Sequence, residues 1–189
     1  HSFPTRRSSD LIITNGFPKD ITDHDLMVYL NSSSATDSKE ELLSKIPVDK
    51  IPNYAFRNDG GITFTNVTKD WGLDQPSFSN GAVAVDLDND GDLDIVINNM
   101  DDAAAIYENN LNEQKDKPHH YLKIALQGDK LNKDAFGSWV KIYYDHNHQQ
   151  VYETNPVRGY LSSTSNITHF GLGNISMIDS CIVIWPDNT

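Results

Sequence analysis

Cysteine is almost missing from this 189-residue chain: Cys181 stands alone, so no disulfide can form within it. Rigidity must come from another source. Cysteine poverty does not by itself name a reducing compartment, since an envelope protein stiffened by metal ions needs no disulfides. Cys181 lies in the apolar run CIVIW at 181–185, where buried packing is the expectation. Long apolar runs are missing too. None approaches the ~20 residues of a membrane-spanning helix. Basic residues are scarce, 15 Lys and Arg against 27 Asp and Glu, for a formal net charge of −12 and a pI near 4.7. Nucleic acids and anionic membranes need a basic footprint, so the acidic balance disfavours both as partners. Catalytic signatures are absent as well: there is no GxSxG, no P-loop and no HExxH. The stretch FGLG at 170–173 is no dinucleotide loop, because the third glycine would fall at Ser176 and no helical pattern follows.

What the chain does have is residues 86–94, DLDNDGDLD, with five carboxylates in nine residues. Charges this close repel one another unless a cation sits among them. Asp86, Asp88 and Asp90 are spaced by two, so a tight loop can turn all three inward. Gly91 supplies a turn that a Cβ resists. Asp92 can offer its backbone carbonyl, and Asp94 closes the cage with its carboxylate. An all-oxygen shell suits a hard cation, and Ca²⁺, with about 6–8 oxygen ligands, fits best. An EF-hand does not fit. Its twelfth position requires a bidentate Glu, and counted from Asp86 that position is Ile97. The flanks, GAVAV at 81–85 and IVI at 95–97, read as strands rather than helices. The plain alternative is a solvated acidic hairpin turn.

The loop resembles the calcium loop of FG-GAP/VCBS repeats, the blades of integrin-type β-propellers. Residues 53–68, NYAFRNDGGITFTNVT, are similar to the hairpin that opens such a blade. Farther on, Gly128 with NKDAFG at 132–137, RGYLS at 158–162, HFGLG at 169–173 and VIWP at 183–186 resemble the ASPIC/UnbV domain. Together these imply an all-β chain: a partial β-propeller of about two blades, then a small ASPIC/UnbV-like β module. The combination is similar to large secreted or surface proteins. A propeller needs more blades than this chain contains, so the resemblance implies that the remaining blades lie in a longer parent chain.

Residues 1–9 read like a translated sequencing adapter and are set aside from fold reasoning, with Asp10 and Leu11 at the margin. The ending at 185–189 also looks cut, and a signal peptide would be lost with the missing part. Residues 10–112 are expected to form the blades and residues 119–189 the β module, with a polar linker at 111–118 between them. LIITNG at 11–16 echoes DIVINN at 94–99, an internal repeat of one strand in successive blades. The extra length at about 18–50 reads as a two-helix insertion: one helix near 25–30 capped by Thr22 or Asp23, the other near 39–46 with Ser38 and Glu41 at capping-box spacing. Residues 103–110, AAAIYENN, resemble the opening strand of another blade. In the second module, alternating stretches at 121–126 and 139–143 predict strands, the latter pairing with 150–154, and short strands are expected at 167–170 and 181–185.

Other candidates are weaker. His146 and His148 would share a strand face, but no third ligand lies near, and a solvated hairpin tip is the expectation. His119 and His120 fall at the linker. His169 is expected to be a hydrogen-bonded structural imidazole. Asp59 suits turn chemistry better than metal ligation. Arg158 and Tyr160 are the candidate ligand contacts of the second module, since Arg and Tyr suit carboxylates or sugars; a turn arginine paired with an acid is the alternative. Asn66 and Asn166 head glycosylation sequons, which matter only in a eukaryotic secretory setting. The expected function is non-enzymatic, calcium-stabilised recognition or adhesion in the extracellular space or bacterial envelope, with a protein or glycan partner. A carbohydrate-binding accessory or enzyme subunit of a polysaccharide-utilisation system is the alternative.

Overall fold

In the computed structural model the chain is built from short antiparallel strands. It describes residues 10–16, 24–32, 44, 46, 48, 50–111, 119–146 and 148–187. The adapter-like start, the caps at Thr22 and Asp23 and most of the second expected helix and the linker lie outside these residues. The first expected helix is α1, His24–Ser32, with Asp25 in its first turn where the helix dipole favours an acid.

Two three-stranded sheets make up the first half. One is ordered β1 (Leu11–Ile13), β3 (Tyr54–Gly60), β4 (Thr63–Asn66). The other is ordered β6 (Ser79–Val85), β7 (Asp94–Asn99), β8 (Ala105–Tyr107). A two-stranded ribbon pairs β2 (Ile51–Pro52), just before β3, with β5 (Pro76–Ser77), just before β6. The repeat recurs in the register, with the two strings one position out of step with the echo as read: Leu11 corresponds to Ile95 rather than to Asp94. Leu11 faces Phe56 and Ile13 faces Tyr54, as Ile95 faces Tyr107 and Ile97 faces Ala105.

This pairing corrects two expectations. Residues 54–66 do not open the metal-loop blade; they pair with β1 and complete the preceding sheet. Residues 105–107 do not open another blade; they are the third strand of the metal-loop sheet. In sequence, the long insertion separates β1 from its neighbour β3. Turn chemistry at the β3–β4 hairpin is as expected. Gly60 and Gly61 take positive φ, and the Asn58 side chain accepts from the Gly60 amide at 2.8 Å. Asp59 is held by Arg57 at 2.9 Å and by the Thr65 hydroxyl. The two sheets share one core of Ala55, Val67, Trp71, Leu73, Ile95 and Ile97.

The second half is a sandwich. One layer is β11 (His148–Glu153), β10 (Trp139–Tyr144), β13 (Ser180–Ile184), and the other is β12 (Ile167–Gly173) with β9 (His120–Ala125). Strict alternation along β10 buries Val140, Ile142 and Tyr144 against Phe170 and Leu172. Cys181 is exposed, against the expectation of burial. It lies on β13, an edge strand paired only with β10, whose residues 180–182 stay in solvent.

Candidate metal centre

The acidic loop joins β6 to β7 at the end of their ladder, where Val85 pairs with Asp94. It therefore connects two strands, which excludes helix–loop–helix geometry. Two residues make the tight turns, Asn89 at φ 63° and Gly91 at φ 95°. The carboxylates fold back on the loop's own amides. Asp86 accepts from Gly91 N at 3.1 Å, Asp88 from Asp90 N at 3.2 Å and Asp90 from Asp92 N at 2.9 Å. Asp94 takes two amides, Leu87 N at 2.9 Å and Asn109 N at 2.8 Å. It thereby closes the loop and ties it to the segment after β8.

This folding-back brings oxygens of Asp86, Asp88 and Asp90 within 4.8 Å of one another. Asp88 is exposed, and the Asp86 side chain is only 4 % exposed. Burial lifts the Asp90 carboxyl above the ordinary carboxylate range, and the charges of Asp88 and Asp86 push it the same way. The residues fit a hard divalent cation. Asp86 Oδ1 is buried and has no hydrogen-bond partner, a costly state for a carboxylate oxygen that a cation would relieve. Each carboxylate that accepts one amide retains lone pairs for a metal. Asp92 and Asp94 are both buried, at 1 % and 2 % exposure, beside this trio rather than within it.

The preceding blade repeats part of this arrangement. Asp10 sits before β1 as Asp94 begins β7, and its Oδ1 accepts from Asn58 N at 2.8 Å, as Asp94 Oδ1 accepts from Asn109 N. Asp10 thus occupies the place of a closing acid.

The second module supplies what sequence reasoning missed. Lys123 on β9 forms an ion pair with Asp86 Oδ2. His169 on β12 donates from Nε2 to the Gly91 carbonyl at 2.9 Å. Tyr121 stacks on His169 at 5.7 Å between ring centroids, and its ring lies against Gly91 so closely that a Cβ there would stand 1.7 Å from it. Ser162 and Thr164 extend the contact along β6, bonding Ala82 N at 3.0 Å and the Ala84 carbonyl at 3.3 Å. Each of these contacts joins residues far apart in sequence, and only His169 had been singled out, as a hydrogen-bonded imidazole.

Arg158 and Tyr160 do not share a contact. The Arg158 guanidinium bonds the carbonyls of Asn155 and Val157 and the Tyr152 hydroxyl, and lies 5.2 Å from the Tyr152 ring. Tyr160 is 71 % exposed. His146 and His148 sit at a hairpin tip, where Asp145 and His146 take positive φ and His148 stacks on Tyr144.

His169 gives the loop contact a pH dependence. Burial pushes its imidazole below the ordinary 6.5, and the Gly91 carbonyl and Asp86 oppose the shift while Lys123 adds to it. The unfolded chain therefore takes up the proton first. The contribution of His169 to stability is complete above pH 6.5 and drains away as pH falls through the lowered folded value. Chelated protein should melt lower as pH drops from about 7 to about 5. His169→Gln should flatten this slope in melts at matched ionic strength.

Among the described residues no helix is long and apolar enough to cross a membrane. No curated protein compared with the chain matches it. Two family descriptions do match: FG-GAP-like repeat over residues 37–97, and ASPIC and UnbV over residues 128–189. The β-sheet pairs of the first half, the acidic loop between two of their strands and the sandwich that docks on it agree with both. Both families are non-catalytic domains of structural and adhesive proteins, and the chain contains one segment of each, an FG-GAP-like repeat followed by an ASPIC and UnbV domain.

Proposed function

We propose that this chain is a calcium-pinned recognition module that works in the extracellular space or the cell envelope. The observation that carries the reading is the convergence of Asp86, Asp88 and Asp90 around a buried Asp86 oxygen with no hydrogen-bond partner. In this reading Asp86, Asp88, Asp90 and Asp94 ligate through carboxylates and Asp92 through its backbone carbonyl. Calcium supplies the positive charge that cancels their repulsion. Its role is structural: the loop is held at the end of the β6–β7 ladder, and the second module keeps its seat against Gly91.

The partner is a protein or a glycan. On the second module, Tyr160 is the contact residue of this proposal, with Leu161 beside it at 73 % exposure. An exposed aromatic ring next to an apolar neighbour suits a sugar face or an apolar side chain. Arg158 acts here as the clamp that shapes the loop, since its guanidinium is already engaged by its own chain.

Calorimetry with calcium tests the metal reading. One site should titrate in the wild type, and Asp88→Ala and Asp90→Ala should each abolish it. A ligand at a hundredfold excess over Kd stabilises the folded state by about 2.7 kcal/mol. The wild-type melt should rise accordingly over the chelated sample, and the variants should not respond. Absence of heat in folded wild-type protein would leave the loop as an acidic turn.

A further inference from the structure

Asp86 is the most enclosed member of the converging trio, and one of its oxygens is already claimed from outside the loop. Lys123 reaches it from β9, thirty-seven positions away in sequence. The Lys123 side chain is 31 % exposed, so its ammonium has an open path to solvent. It also lies 5.5 Å from the centroid of the Tyr121 ring, a cation–π position that offers partial compensation when the ion pair is lost. The remaining contacts of the second module with the loop and β6, through His169, Tyr121, Ser162 and Thr164, do not involve the ammonium.

We infer that Lys123 is a tethered competitor for the metal: its ammonium on Asp86 Oδ2 and a divalent cation at the neighbouring, unpartnered Oδ1 contend for one carboxylate, so the second module sets the calcium affinity of the blade. The inference rests on the calcium reading above. Two positive charges held on the two oxygens of one carboxylate repel each other strongly. Calcium entry therefore requires the ammonium to swing away, and that displacement weakens binding. Without calcium the same ammonium neutralises part of the loop's charge and steadies it. Lys123 thus acts in opposite directions on the two states of one loop.

The test is calcium titration of the wild type, Lys123→Met and Lys123→Arg in the full chain, with melts in chelator and in saturating calcium. Methionine keeps most of the apolar stem and removes the charge. Lys123→Met should bind calcium about tenfold or more tightly, and Lys123→Arg should stay near the wild type. In chelator Lys123→Met should melt below the wild type, and in calcium that gap should close or reverse. A loss of packing alone would lower both melts and leave the affinity unchanged. If the wild type binds calcium and Lys123→Met binds with equal or weaker affinity, competition is overturned and the calcium reading stands. If neither folded protein binds calcium, both fall together.

Discussion

Asp94→Ala should unfold at markedly lower denaturant concentration than the wild type, with a loss of about 2–4 kcal/mol. Asp94 is 2 % exposed and accepts from two backbone amides, Leu87 N and Asn109 N. Alanine leaves both donors without that acceptor. Asn109 is itself 1 % exposed, so water cannot replace the carboxylate there. A buried donor stranded in this way costs about 1–3 kcal/mol, and the more open Leu87 amide adds less. Asparagine should recover part of the loss, because one amide oxygen can serve one of the two donors. Asp10 provides the internal control. It holds Asn58 N in the preceding blade by the same kind of bond, but it is only half-buried. Asp10→Ala should therefore cost clearly less. Urea unfolding of the three variants at one calcium concentration checks the order. Equal losses at Asp10 and Asp94 would mean that the second amide and the deeper burial contribute nothing.

Gly91→Ala should destabilise the protein by about 2–4 kcal/mol through two separate causes. The first is local. Gly91 has φ 95°, a backbone state that costs an L-residue about 1–2 kcal/mol. The second lies across the module contact. The new Cβ would stand 1.7 Å from Tyr121 Cε1, so the ring must leave. Departure of the ring removes its stacking on His169, worth about 0.5–1.5 kcal/mol, and loosens the seat of the Gly91 carbonyl bond. A double-mutant cycle with Tyr121→Ala separates the causes. In the Tyr121→Ala background, Gly91→Ala should cost only the backbone part. An unchanged cost in that background would show that the ring does not press on the loop.

These two residues mark how far the sequence could be read. The spacing of the aspartates and Gly91 was enough to foresee a tight loop with three acids turned together. Alternation in 121–126 and 139–143 placed the strands of the sandwich, because a two-residue period is a local property of the chain. The echo between LIITNG and DIVINN identified equivalent strands, but it is one residue out: the registers of β1–β3 and β7–β8 align Leu11 with Ile95 rather than with Asp94.

Strand partnership was another matter. The hairpin at 54–66 and the strand at 105–107 each look as if they open a blade, since a run of β-formers does not say which edge it will join. Hydrogen-bond register decides that, and register depends on which faces are buried together. Cys181 failed for a similar reason. An apolar run reads as buried, but a strand at a sheet's edge has no facing layer to cover all of it.

By itself, the sequence determined the all-β character, the acidic loop with its closing Asp94, and the change of texture from repeat to sandwich. Each follows from neighbours a few positions apart, where spacing alone decides geometry. Only the tertiary structure decided that Lys123, Tyr121 and His169 meet that loop. Their contacts with it span tens of residues, and no periodicity or motif encodes a meeting of that range. It arises because two separately packed cores are joined on one chain, and because the glycine that lets the loop turn also leaves room for an aromatic ring.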